Sequence, residues 1–131
     1  MKKSMLFFLM IIVVPVLFAG NPLPTTKIEV YYFHFTRRCS TCQNLENVSK
    51  KAVETLYPEK VKKGEISFQS VNLDEKAGEA LGARYKVDGQ TLLVICGDKK
   101  IDLTEKGFLY ANNSPDKLTA EIRKAVDGMM K

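Results

Sequence analysis

Lys27 to Cys42 reads KIEVYYFHFTRRCSTC. Its first nine residues, Lys27 to Phe35, are rich in β-branched and aromatic side chains, the composition of a strand. They do not alternate strictly, so the strand should be central and covered on both faces. Thr36-Arg37-Arg38 breaks the run. From Cys39 the period changes: Cys42, Leu45, Val48, Ala52 and Leu56 recur at three or four residues, with Glu46, Lys50, Lys51 and Glu54 between them. This predicts an amphipathic helix of about four turns, and Pro58 should stop it at or before Tyr57.

Further along, Glu65 to Asn72 (EISFQSVN) reads as a second strand, and Asp74 to Tyr85 as a shorter helix weakened by Gly78 and Gly82. Thr91 to Cys96 (TLLVIC) is a buried strand. Gly97-Asp98 is a turn signal, with Lys100 to Thr104 as hairpin partner. Gly107 to Asn113 reads as loop. Ser114-Pro115 is an N-cap followed by Pro at the first helical position, and Leu118, Ile122, Val126 and Met129 mark the core face of a last helix. The order β-α-β-α-β-β-α predicts an α/β three-layer sandwich with a mixed central sheet. Its first two strands, joined through the long helix, should be parallel.

Toward the N-terminus the chain carries an address. Met1-Lys2-Lys3-Ser4 is basic, and Met5 to Phe18 is almost wholly apolar. That run fits a secretory signal core of roughly 7–15 residues and is short of the about 20 needed to span a bilayer. Cleavage after Ala19 is expected, with an uncleaved anchor as the alternative. Residues 20–26 (Asn21 to Thr26 is NPLPTT) are a Pro-rich lead-in, and 27–131 the domain. The expected location is periplasmic or otherwise exported, in bacterial style, where thiols can be driven to disulfides. Three cysteines are too few for a disulfide scaffold. The formal charge is +5, and removing Lys2 and Lys3 lowers it by two. The remaining charge is scattered, which excludes a polyanion-binding protein: no nucleic-acid partner is expected.

Cys39-Ser40-Thr41-Cys42 sits where the first strand hands over to the long helix. At a helix start the backbone N–H groups are unpaired and the dipole favours negative charge. A thiolate at Cys39 gains from both, with Arg37 and Arg38 as nearby cations. Such surroundings lower a cysteine pKa from about 8.5 toward 3.5–7.5, which makes Cys39 the sulfur placed to attack. Cys42, on the same stripe as Leu45, should be covered and serve as the resolving thiol. Two other readings stay open: soft ligands for a Cu(I)-type metal at Cys39 and Cys42, and a static staple.

These residues carry a family resemblance. Strand, Cys-x-x-Cys at a helix start, then βα and ββα, resembles the thioredoxin-like superfamily over roughly residues 27–128. Asn72-Leu73-Asp74 resembles that family's Asn-Ile-Asp. Tyr85-Lys86-Val87-Asp88-Gly89 with Thr91-Leu92-Leu93 resembles its Tyr-Gly-Ile-x-Gly-(x)-Pro-Thr-Leu segment. Tyr31 to Cys42 is also similar to a group of small exported thioredoxin-like proteins known as a nitrophenyl-compound reductase subunit. The resemblance implies a redox-active disulfide Cys39–Cys42 with no organic cofactor, exchanging electrons with another dithiol or disulfide protein. The chain departs from the pattern in several places. Gln90 replaces the usual cis-proline, and since a non-proline cis bond costs about 2.5–4 kcal/mol a trans peptide is expected. Arg38 replaces a Trp, Ser-Thr replaces Gly-Pro, and Phe33 stands for a buried acid on the first strand.

The expected function is therefore that of an exported thiol–disulfide oxidoreductase or electron relay, acting as a monomer and touching a membrane only through an uncleaved N-terminal segment. Cys39 and Cys42 are its catalytic residues, with Arg37, Arg38, His34 and Gln90 in support. The alternatives are a copper-type metal module and a redox-inactive subunit of a larger reductase. His34 is expected to be hydrogen-bonded to backbone, and Cys96 to be a small buried hydrophobe.

Overall fold

The computed structural model describes residues 26–131. The leader and all but the last residue of the lead-in lie outside them. Strand β1 (Ile28–His34) is followed by helices α1 (Ser40–Leu56) and α2 (Pro58–Lys62), strand β2 (Ile66–Asn72) and helix α3 (Lys76–Tyr85). The hairpin strands β3 (Thr91–Cys96) and β4 (Lys99–Asp102) come next, then α4 (Thr104–Tyr110) and α5 (Pro115–Met129). Among these residues no helix is long and apolar enough to cross a membrane.

The sheet order is β2-β1-β3-β4. β1 is central, parallel to β2 with Ile28 opposite Ile66, and antiparallel to β3 with Ile28 opposite Cys96. This agrees with the aromatic run that does not alternate: both faces of β1 are covered. Val30 and Tyr32 join Leu45, Val53, Leu92, Val94, Leu118, Ile122 and Val126 in a core between the sheet and α1 and α5. Tyr31 and Phe33 join Val71, Leu93 and Ile95, roofed by Leu81 and Tyr85 of α3.

The two-residue turn of the hairpin uses Gly97 at φ +60, a left-handed conformation glycine adopts without a Cβ penalty. Ser114 is the N-cap of α5 with Pro115 in the first turn, yet the Ser114 side chain makes no capping bond; its carbonyl accepts from Lys117 N at 2.8 Å instead.

Two stretches correct the sequence expectation. Residues 58–62 form an extra turn of helix, because Pro58 that ends α1 is itself well suited to a first helical position. The loop expected over 107–113 is in large part helix α4. Gly107 reads as a breaker, but it is there for space: a Cβ on it would lie 2.7 Å from Leu45 Cδ1. Leu103, Gly107 and Ala111, four residues apart, are the buried face of α4 and its caps, with Gly107 set against Leu45 of α1. α3 also begins later than expected, at Lys76, since Asp74 is drawn to Thr36.

Candidate functional site

The site lies beyond the C-terminal end of β1, where the chain passes through Thr36 to Arg38 into α1. Asn72 and Asp74 fasten this crossing. Asp74 Oδ2 accepts from Thr36 N at 2.7 Å, and Asn72 Nδ2 donates to Thr36 Oγ1 at 2.9 Å. The Thr36 N–H, together with the Thr36 hydroxyl, holds the exposed Asp74 carboxyl below the usual carboxylate range. The Asn-Leu-Asp segment thus anchors the loop leading to the cysteines.

Cys39 occupies the N-cap of α1 in an extended conformation, φ −74 and ψ 164. Its Sγ accepts from the Cys42 backbone N–H at 3.2 Å, one of the orphan donors of the first turn. That turn holds no acidic residue. Cys39 is disulfide-bonded to Cys42, with Cα atoms 5.2 Å apart. The two sulfurs differ in access: Cys39 is exposed, whereas Cys42 is 3% exposed on the stripe that continues through Leu45 and Ser49.

The supporting residues spread around this pair. Arg37 is exposed. Arg38 forms an ion pair with Glu46 of α1, so its charge is largely answered within the protein. Gln90, just before β3, is half-buried, and its Oε1 accepts from the Tyr32 hydroxyl at 2.9 Å. Burial raises the Tyr32 hydroxyl above its ordinary pKa, with Arg38 acting in the opposite sense. Among the described residues no peptide bond is cis, which includes the one at Gln90. Phe33 is fully buried, but on the α3 side of the sheet; the alternation of β1 puts Tyr32, not Phe33, in the core under α1.

His34 is 7% exposed and both ring nitrogens are engaged, Nδ1 with the Phe35 carbonyl at 2.9 Å and Nε2 with Ser70 Oγ at 2.8 Å. A neutral ring that donates from Nδ1 and accepts from the Ser70 hydroxyl satisfies all three groups. Cys96 is a free, buried cysteine whose partner in the sheet is Ile28, at the opposite end of β1 from the dithiol. The two ends are six residue steps apart along the strand, about 20 Å at 3.3 Å per step. The structure brings neither residue to Cys39 as a third ligand, and among the described residues no three His, Cys, Asp or Glu side chains cluster as a metal site.

Residues of the loop that follows α4 also reach the site, which no local pattern announces. Asn112 Nδ2 donates to Thr41 Oγ1 at 2.9 Å, and Asn44 Nδ2 donates to Asn112 Oδ1 and to the Ala111 carbonyl at 2.8 and 2.7 Å. Phe108 and Leu109 of α4 are 37% and 59% exposed. The only sequence signal for this contact is an asparagine pair directly after the Leu103, Gly107, Ala111 stripe.

No family model and no curated protein matches the chain. Solved structures do. A thioredoxin from Thermus thermophilus is 18% identical with a TM-score of 0.50, over 79% of this chain and 76% of that one. The germline-specific thioredoxin Deadhead from Drosophila melanogaster is 22% identical with a TM-score of 0.46, over 76% and 81%. A thioredoxin from Fasciola hepatica is 24% identical with a TM-score of 0.45, over 76% and 81%. At these identities the likeness is one of fold: the chain has the thioredoxin-like fold, with a Cys-x-x-Cys pair at disulfide distance.

Proposed function

We propose that this protein is a thiol–disulfide oxidoreductase or electron relay, working outside the cytosol as the basic and apolar leader from Lys2 to Phe18 implies. The observation that carries the reading is the asymmetry of one bond: an exposed sulfur at the N-cap of α1 joined to a buried one inside the first turn.

In the reduced form the Cys39 thiolate attacks a partner disulfide. One partner sulfur leaves as thiolate and a mixed disulfide to Cys39 remains. The Cys42 thiolate then attacks Cys39 Sγ, the second partner sulfur leaves, and Cys39–Cys42 is oxidised by two electrons as the partner is reduced by two. Run backward, a partner thiolate attacks the accessible Cys39 sulfur and Cys42 is the leaving group. Both directions use Cys39 as the point of contact. The Cys42 backbone N–H and the helix dipole act on a charge that exists only when Cys39 is free, so they favour its departure as thiolate.

The test is a pair of substitutions assayed with a peptide disulfide. Cys39→Ser should abolish exchange and form no adduct. Cys42→Ser should accumulate a long-lived mixed disulfide whose mass is the sum of protein and half-peptide. If both variants exchange at the parent rate, the pair is not the reacting centre.

A further inference from the structure

We propose that Asn112 is a positioning residue for the dithiol: by holding the Thr41 hydroxyl it keeps the first turn of α1 in the geometry that lets the disulfide close. The inference rests on the oxidoreductase reading and names a control on that same site.

Thr41 stands between the two cysteines. Its hydroxyl receives Asn112 Nδ2, and Asn112 Oδ1 receives the side chain of Asn44, three residues further along α1. The bonds therefore form a bracket whose two feet are on one helix, across its first turn, and whose bridge is the α4–α5 loop. That bridge is itself fixed. Asn44 Nδ2 also donates to the carbonyl of Ala111, which is 1% exposed, and one turn earlier Gly107 is packed against Leu45. First turns of helices lack half their backbone bonds and fray. A frayed turn would let Cys39 and Cys42 drift from the 5.2 Å Cα separation that the bond uses. A bracketed turn has already lost that freedom, so closing the disulfide costs less conformational entropy.

The removal of the bracket should therefore weaken disulfide formation without touching either sulfur. In a glutathione titration read by mass after alkylation, Asn112→Ala should lower the equilibrium constant for Cys39–Cys42 by about threefold to tenfold, where tenfold is about 30 mV for a two-electron couple. Thr41→Val should do the same, Thr41→Ser should restore the parent value, and the double variant Asn112→Ala with Thr41→Val should add nothing further. Lys106→Ala is the control. It breaks an exposed pair with Glu121 at 2.5 Å between α4 and α5 and should leave the constant unchanged even where it lowers Tm. Variants that titrate like the parent, or two effects that add in full, would overturn the bracket while leaving the oxidoreductase intact. A parent protein that never equilibrates with glutathione would overturn the functional reading itself.

Discussion

Asp74 shows how a single exposed carboxylate can matter to a site it does not touch. Its Oδ2 receives the Thr36 N–H, and its own N–H donates to Asn72 Oδ1 at 3.0 Å, so one residue closes the loop that delivers Cys39 to its cap. The carboxyl is held below its ordinary pKa by that N–H first and the Thr36 hydroxyl second. A carboxyl depressed in the folded state contributes stability that is present above its unfolded value, 3.8, and is lost as pH falls through the lower folded value. Asp74→Asn keeps a neutral acceptor of the same shape and removes the titration. It should therefore melt below the parent at pH 7, and the two should converge in acid once the parent carboxyl is protonated. Thermal unfolding of both proteins across that range checks this; a difference independent of pH would mean that charge plays no part at Thr36.

At the scale of elements, the connection after α3 carries a strain that the sequence comparison makes legible. α3 ends with Lys86 in the left-handed conformation, φ 58, its N–H bonded to the Ala83 carbonyl at 3.2 Å. In the resembling segment, Tyr-Gly-Ile-x-Gly, glycine holds this place, because a residue without Cβ closes a helix there at no steric cost. Lys86→Gly should therefore raise stability by about 0.5–1 kcal/mol, after the loss of backbone entropy is set against the relieved strain. Chemical denaturation with an unchanged m-value measures it; a destabilised variant would show that the lysine side chain contributes more than its backbone costs. β1, α1, β3 and α5 carry strong local signals, long apolar runs or a sustained helical period, and they appear within a residue or two of where those signals put them. α4 does not, because a seven-residue helix with glycine at its centre has no autonomous tendency to form; it exists through packing of Gly107 on Leu45. The cysteine pair was legible for the first reason, and Asn112 was hidden for the second: it meets Thr41 across 71 residues of chain, through a contact that only the folded α4 creates.

For the molecule as a whole, the dithiol is set at one end of a sheet whose two apolar clusters close without it, although Cys42 is itself buried. Neither apolar cluster depends on Cys39, and the covered faces of β1 and β3 continue to Cys96 at the far end. Reduction should accordingly leave the fold intact and shift only its stability. A four-residue ring closed by a disulfide and doing nothing else would stabilise by about 2 kcal/mol on chain-entropy grounds, or about 8–16 °C in Tm for a domain near this size. A sulfur held at a helix N-terminus alters that figure in one direction. On the proposed reading, a free Cys39 thiolate gains from the helix dipole and from the Cys42 N–H that its bonded Sγ already accepts, about 0.3–1 kcal/mol for a charge at a helix start. This contribution belongs to the reduced form alone. On that reading it is fully present above the ordinary cysteine value near 8.5 and is lost as the thiolate takes up a proton at lower pH. Groups such as Asp74 titrate alike in both forms and cancel in the difference. The Tm gap between oxidised and reduced protein should hence be narrow at pH 9 and widen by about 4–8 °C for each kcal/mol lost on moving to pH 5. Parallel melting curves of the disulfide and dithiol forms measure it directly. A gap that stays constant with pH would mark the bond as a staple, because a helix start that does not favour the departing thiolate has no part in exchange.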